Sequence, residues 1–297
     1  MSELQVPSHT DIRRIARGSL VSACALDLTP TPVQDVVQAV GLHQENLFDL
    51  GEDVPPTMLT IIKKLSGRVL GGMAIKERTV YVDAGLPMPR RRFTTAHELG
   101  HDALPWHEAA YFADDHHTLS PATRHELERE ANLYAAELLF GLDRFTEEAD
   151  SYAPSLGVAM ELANTYEVSA HAALRRYAAT SRHTVALVSM GDYTVRHGTA
   201  LKVFPEQCAT SPTFVSRYGA VTTLVGSTMK IDGTEAFETL AKLSRGVHDE
   251  PIDLSLDTSR GLTKFQAHLF HNGRLRFMLL TRRQLLGRRL RAVNTPQ

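Results

Sequence analysis

Cysteine is almost missing from this chain, which has only Cys24 and Cys208 among 297 residues. That excludes a disulfide framework, and the apolar neighbours of both lead us to expect two buried free thiols in a reducing cytoplasm. Long apolar runs are missing too. No stretch approaches the roughly 18 residues that a membrane helix needs, so a membrane partner is not expected. The opening MSELQVPSHTDIRRIARG carries charges where a signal peptide would need an apolar core. Nor is there an excess of one charge. With 32 Lys and Arg against 34 Asp and Glu, the net charge of -2 gives the whole chain no electrostatic case for nucleic acid. Repeats and low-complexity tracts are absent. What remains is ordinary globular material, 43% hydrophobic and 22% charged, long enough for two or three domains.

Against that plain background one stretch stands out, Arg92 to Leu104, RFTTAHELGHDAL. It contains H-E-x-x-H at His97, Glu98 and His101, and residues four apart on a helix sit one turn above each other on one side. Both imidazoles can then reach one divalent ion. Phe93, Ala96, His97, Gly100, His101 and Leu104 recur at helical spacing as one inward stripe, and Pro105 ends the run. Two neutral His nitrogens and one carboxylate give zinc three protein ligands and leave a position for water, whose proton Glu98 would take. Gly100 lies on the ligand stripe, where a missing side chain lets a neighbour approach closely.

The later helix starts at Ser120 as cap with Pro121 at its first position and runs to about Phe140, ending at Gly141. Its inward stripe reads Glu128, Ala131, Asn132, Ala135, Leu138 and Leu139. Glu128 is therefore the expected third metal ligand, with Asn132 one turn on as a hydrogen-bonding support. Glu130 lies about 200° round the helix and is expected to face solvent. His107 or Tyr134 could stabilise an oxyanion, and the sequence does not choose between them. His107, His116, His117 and His125 with Asp114 and Asp115 could form a second cation site, although such a loop is more often solvated.

FTTAHELGHDAL followed by ERE-AN-LYAAELL resembles the ImmA/IrrE family of metallopeptidases, which joins an H-E-x-x-H helix to a later E-x-x-A-N-x-[FY]-A-A-x-L-L helix. The resemblance covers roughly residues 60–142. It implies a zincin-like fold, with His97, His101 and Glu128 as metal ligands and Glu98 as catalytic base. Zinc is the implied ion, and manganese or iron would accept the same donors. It further implies a protein substrate, a helix-turn-helix repressor whose cleavage switches on stress genes. GLD stands where many members have Met-Pro after the leucines, which leaves the following turn open.

Elsewhere the reading is coarser. Helices are expected over Thr10 to Leu26 and from Pro32 (capped by Thr31) to Gly41, and MLTIIKKL reads as a short helix or an apolar connection. Strands over 68–75 and 78–82 form a hairpin whose edge could hold an extended substrate. Leu156 to Tyr177 has the pattern of a helix-turn-helix, with its turn at Tyr166 to Val168 and Ser169 as cap. Its second helix opens on Ser169, Ala170, His171 and alanines, with Arg175 and Arg176 further on. That favours packing or substrate docking over base reading. From Ser181 strands dominate. These include FVSRYGAVTTLVGSTM, before helix EAFETLAKLSRG and a hairpin round Asn272-Gly273. The expected architecture is α+β: a zincin-like metallopeptidase domain (1–148), a helix-turn-helix-like segment (149–180) and a GAF-like C-terminal domain (181–297). By its resemblance to the IrrE branch, the last would modulate activity through docking or a small-molecule ligand. The competing reading is a DNA-binding regulator with a structural or inactive metal site.

Overall fold

The computed structural model describes residues 9–47, 71–74, 77–107, 120–191, 200–226, 228–230, 245–248 and 250–282. The expectations placed on GEDVPP, MLTIIKKL, residues 68–70, Asp114 to His117, YTVRHG and the basic tail lie outside them. The chain divides into two compact units. The first comprises residues 1–152 with 157–177, the second 153–156 with 178–297.

In the first unit, helices α1 (His9–Ser22) and α2 (Val33–Ala39) precede strand β1 (His43–Asn46). The strands β2 (Gly71–Ala74) and β3 (Thr79–Val82) follow, then α3 (Met88–Ala103), α4 (Pro121–Leu139), α5 (Arg144–Asp150), α6 (Leu156–Thr165) and α7 (Ala170–Thr180). The sheet order is β1-β3-β2, with β1 parallel and β2 antiparallel to β3. All four β3 residues, TVYV, are buried, as a central strand covered on both faces requires. The hairpin is thus where the sequence pattern put it, whereas β1 is an addition. Four polar residues, HQEN, carry no alternating apolar signal and pair only because β3 offers them a ladder.

Other expectations change in detail. Thr31 does not cap α2, because its hydroxyl is buried and donates instead to the Leu138 carbonyl at 2.9 Å. Ser120 does cap α4, accepting the Thr123 amide at 3.1 Å. Cys24 is exposed rather than buried, at a left-handed position (φ 52°) in the turn that ends α1, and Cys208 is half-buried; both are free. The core of the unit forms where α1 lies along α4. There Ile12, Ala16 and Leu20 are fully enclosed, each large side chain contributing about 1.5–3 kcal/mol.

Helices α6 and α7 flank a turn in which Glu167 takes φ 52°, and Ser169 caps α7 by accepting the Ala172 amide at 3.1 Å. The basic residues expected on α7 do not form a free face. Arg176 is buried, donating to Glu137 at 2.7 Å and to the Leu142 carbonyl at 2.8 Å. These bonds tie α7 to α4 and make the two helices part of the first unit up to Tyr177.

The second unit contains β4 (Val185–Met190), β5 (Ala200–Lys202), β6 (Ala209–Thr210), α8 (Pro212–Tyr218), α9 (Val221–Val225), β7 (Thr228–Lys230), β8 (Gly246–Val247), β9 (Ile252–Thr258), β10 (Gly261–His271) and β11 (Arg276–Thr281). An antiparallel sheet runs β6-β4-β11-β10-β8, with β9 also paired to β10. The hairpin at Asn272 and Gly273 forms as its turn chemistry dictates, with Gly273 at φ 95°. FVSRYGAVTTLVG, expected as strand, is helical instead. Ser211 accepts the Phe214 amide, Pro212 starts α8 and Gly219 at φ 90° ends it, so capping overrides a β-branched composition. The helix expected over 235–246 lies outside the described residues save its last two, and Gly246 there already pairs in β8. Among the described residues no helix is long and apolar enough to cross a membrane.

Candidate metal centre

Two helices make the site, and a missing side chain lets them. A Cβ built on Gly100 of α3 would stand 3.1 Å from Tyr134 Cδ1 and 3.2 Å from the Cα and carbonyl oxygen of Ala131 on α4. The helices therefore meet nearly backbone to backbone, and His97 and His101 on one face Glu128 on the other. His97 Nε2 lies 3.2 Å from Glu128 Oε2 and 3.2 Å from His101 Nε2, which lies 3.6 Å from Glu128 Oε1. Bonds of about 2.0–2.1 Å meeting at a tetrahedral angle would separate their donors by roughly 3.3–3.4 Å. The donor set thus matches zinc in chemistry and in spacing, and it is the metal-capable group found among the described residues.

Each imidazole also needs its second nitrogen satisfied. His97 Nδ1 lies 3.0 Å from Asn132 Oδ1, as the α4 stripe suggests, and can donate to it. For His101 the structure supplies what the sequence reading missed. His101 Nδ1 lies 3.0 Å from His107 Nδ1, and His107 Nε2 lies 3.0 Å from Glu130 Oε2, which also accepts the Trp106 indole N–H. Glu130, expected on the surface, is only 6% exposed, and His107 is fully buried. The signal that would have found Glu130 is the run ANLYAAELL, apolar on nearly every side, which marks a helix buried all round.

Glu98, beside His97, is partly buried. A Cβ on Gly71 would stand 3.5 Å from Glu98 Oε1, so strand β2 passes directly alongside this carboxylate. Burial pushes the Glu98 carboxyl up to about 7, against the downward pull of His97. Burial also pulls His97 down, but its hydrogen bond to Glu128, the charges of Glu98 and Glu128, and Asn132 outweigh this and leave its pKa raised. Glu128 is lowered by the same hydrogen bond, against desolvation. His101 falls to about 4 through burial and the nearby His97. In the metal-free protein one proton on the His97–Glu128 pair therefore occupies a place suited to a cation.

The oxyanion candidates fare differently from the donors. Tyr134 is fully buried and its hydroxyl donates to Ser19 Oγ at 2.7 Å, towards α1. His107 sits behind His101, committed to Glu130. Neither side chain has a polar atom free to meet substrate. Of the proposed second cation site, His125 is exposed and His107 is buried behind His101, while His116, His117, Asp114 and Asp115 lie outside the described residues.

Comparison with protein families matches residues 59–177 to the IrrE N-terminal-like domain, a peptidase family. The span holds all three donors and ends at the residue where the first unit ends. Comparison with curated proteins gives no match. Among solved structures the chain is similar to a Mycobacterium tuberculosis transcriptional regulator, with a TM-score of 0.50 and 11% identity over 91% of this chain and 86% of that one. At that identity the likeness speaks for the fold alone. The two motif helices, packed through Gly100, lie inside the matched span, and over residues 59–177 the chain is similar to the IrrE N-terminal-like peptidase domain.

Proposed function

We propose that the chain is a site-specific metallopeptidase, acting in the cytoplasm, that cleaves a helix-turn-helix transcriptional repressor and so derepresses DNA-damage or radiation stress genes. The observation that carries the peptidase reading is the triangle of His97, His101 and Glu128 donors with the Glu98 carboxylate beside it. A divalent ion held there, zinc by default and manganese or iron as substitutes, supplies positive charge that acidifies water and polarises a carbonyl. Glu98 takes the proton from the attacking water and returns it to the departing amine. A value near 7 in the metal-free site suits a group that must both accept and release. Glu128, with its side chain 48% exposed, keeps the site open to a substrate. β2 stands at one end of the described sheet beside Glu98, a position from which an extended segment can be held.

The repressor as substrate is supported by the family match over residues 59–177, and by the regulatory name of the structural neighbour. That name equally prompts the other reading, a direct DNA-binding regulator with a structural or inactive metal site. The buried Arg176–Glu137 pair counts against it, because an arginine committed to a carboxylate inside the fold is lost to phosphate. A structural site also has no use for Glu98. To the second unit we assign a modulatory role, docking a partner or a small-molecule ligand on a GAF-like sheet. Its antiparallel sheet, sharing a core with α8 and α9, supports that assignment.

The test is terminal-peptide proteomics on host cells carrying wild type or Glu98→Gln, before and after stress. One or a few new chain ends that depend on Glu98 and fall within a helix-turn-helix repressor are the expected result. Identical ends in both strains while the stress genes still respond would refute the proposal.

A further inference from the structure

The two histidines of the site are supported unequally. His97 reaches Asn132 in one step, whereas behind His101 stands a chain of three side chains, His107, Glu130 and Trp106. From their distances we infer that Glu130 and His107 are positioning residues, a relay that fixes the His101 tautomer and so keeps its Nε2 lone pair available to a metal ion. This rests on the metal-site reading above and deepens it.

The argument follows the protons. The indole N–H of Trp106 can only donate, so the Glu130 oxygen that receives it is an acceptor. That same oxygen lies 3.0 Å from His107 Nε2, which must therefore carry hydrogen. A neutral imidazole has one N–H, so His107 Nδ1 is left as an acceptor, and it faces His101 Nδ1 at 3.0 Å. Only one hydrogen fits between two ring nitrogens, and it belongs to His101. The remaining nitrogen, Nε2, is then unprotonated and faces His97 and Glu128. Were the carboxylate missing, His107 could adopt its other tautomer and offer Nδ1–H to His101. The hydrogen on His101 would then move to Nε2, where it blocks coordination. Asn132 cannot reverse in this way at a comparable cost, since turning its amide would set N–H against the His97 ring.

The relay also draws on parts of the fold that the three donors leave unexplained. Glu130 and His107 are both buried, and a carboxylate enclosed on α4 beside buried Leu127, Ala131, Leu133 and Tyr134 is costly unless its hydrogen bonds are used. Trp106, the one tryptophan of the chain, gives this carboxylate a second donor from the helical residues 105–107 that follow α3.

The experiment measures zinc affinity by competition with a chromophoric chelator on the full chain at constant pH. Glu130→Leu should weaken zinc binding by roughly 10–100-fold. Glu130→Gln, whose amide oxygen can accept the same hydrogen bond, should recover most of that loss. An affinity within about twofold of wild type in Glu130→Leu would overturn the relay, provided that His101→Ala abolishes binding. If His101→Ala also left the affinity unchanged, the metal-site reading itself would fall, and the relay with it. Because a buried substitution can fail to fold, a second measurement uses the wild type. Long-range nitrogen–proton NMR of the zinc-loaded chain should show His107 protonated at Nε2 and His101 at Nδ1. A proton on His107 Nδ1 would overturn the inference, and a merely structural role for Glu130 would not fix either tautomer.

Discussion

Glu98→Gln should make the metal-free protein more stable while abolishing peptidase activity. The glutamate sits where burial disfavours its charge, so its carboxyl holds a proton up to about pH 7, against an ordinary value of 4.5. Between those two values the native state binds a proton that the unfolded chain releases, and stability therefore falls as pH rises through the window. Each pH unit is worth about 1.4 kcal/mol, so the ionised group costs the fold about 3 kcal/mol above pH 7, or about 2 kcal/mol once solvent contact is allowed for. Glutamine has the same shape and no charge to desolvate. The gain should be near zero at about pH 4.5 and reach about 2–3 kcal/mol by about pH 8. Urea unfolding of chelator-treated protein measures it, and Trp106, beside the site and without a second tryptophan to confuse the signal, reports on the first unit. The His97 pKa is raised from its ordinary value, in part by the Glu98 charge, so both proteins must be followed across the window. Adding zinc should shrink the difference, because a nearby cation relieves the carboxylate's cost. A variant no more stable than wild type at about pH 8, or a difference of equal size at both ends, would refute the reasoning.

Four further outcomes follow from the same geometry. Zinc affinity of the wild type should fall about tenfold per pH unit as pH drops below the raised pKa of His97, because proton and metal compete for Nε2; a flat profile between about pH 6 and 8 would contradict this. Gly100→Ala should cost about 1–2 kcal/mol despite better helix propensity and should weaken zinc binding, since the new Cβ meets the Ala131 backbone at 3.2 Å; thermal unfolding and chelator competition measure the two effects. Arg176→Met should destabilise the fold by about 3 kcal/mol by leaving buried Glu137 only the more distant Arg13 at 3.8 Å and His9 at 3.9 Å, and Arg176→Met with Glu137→Leu should regain most of it, as denaturant midpoints would show. Tyr134→Phe should lose about 1 kcal/mol of stability with kcat unchanged on the cleaved repressor, and a hundredfold fall in kcat would return Tyr134 to the reacting centre.

The sequence by itself determined the helix that carries His97, Glu98 and His101, the cap and length of α4, and the placing of Glu128 opposite the two histidines. All three are matters of spacing along one helix, where position on the chain converts directly into position on a face. It also settled the hairpin at Asn272-Gly273, because turn chemistry is local. Strand β9 was legible and overlooked, since IDLSLDT alternates strictly and is buried in that alternation. Tertiary structure decided the rest. β1 is polar and exists only through β3. FVSRYGAVTTLVG is β-branched, yet capped into two short helices whose Phe214 and Val221 fill the core of the second unit. Glu130 was misplaced because the helical wheel was turned to put Glu128 and Asn132 innermost, whereas both are exposed and Glu130 is buried with Leu127, Ala131 and Tyr134. Which carboxylate joins His97 and His101 was written in the period of a helix. Which one stands behind His101 depended on where residues 105–107, helical after α3, deliver His107 and Trp106, a long-range closure to which no local pattern points.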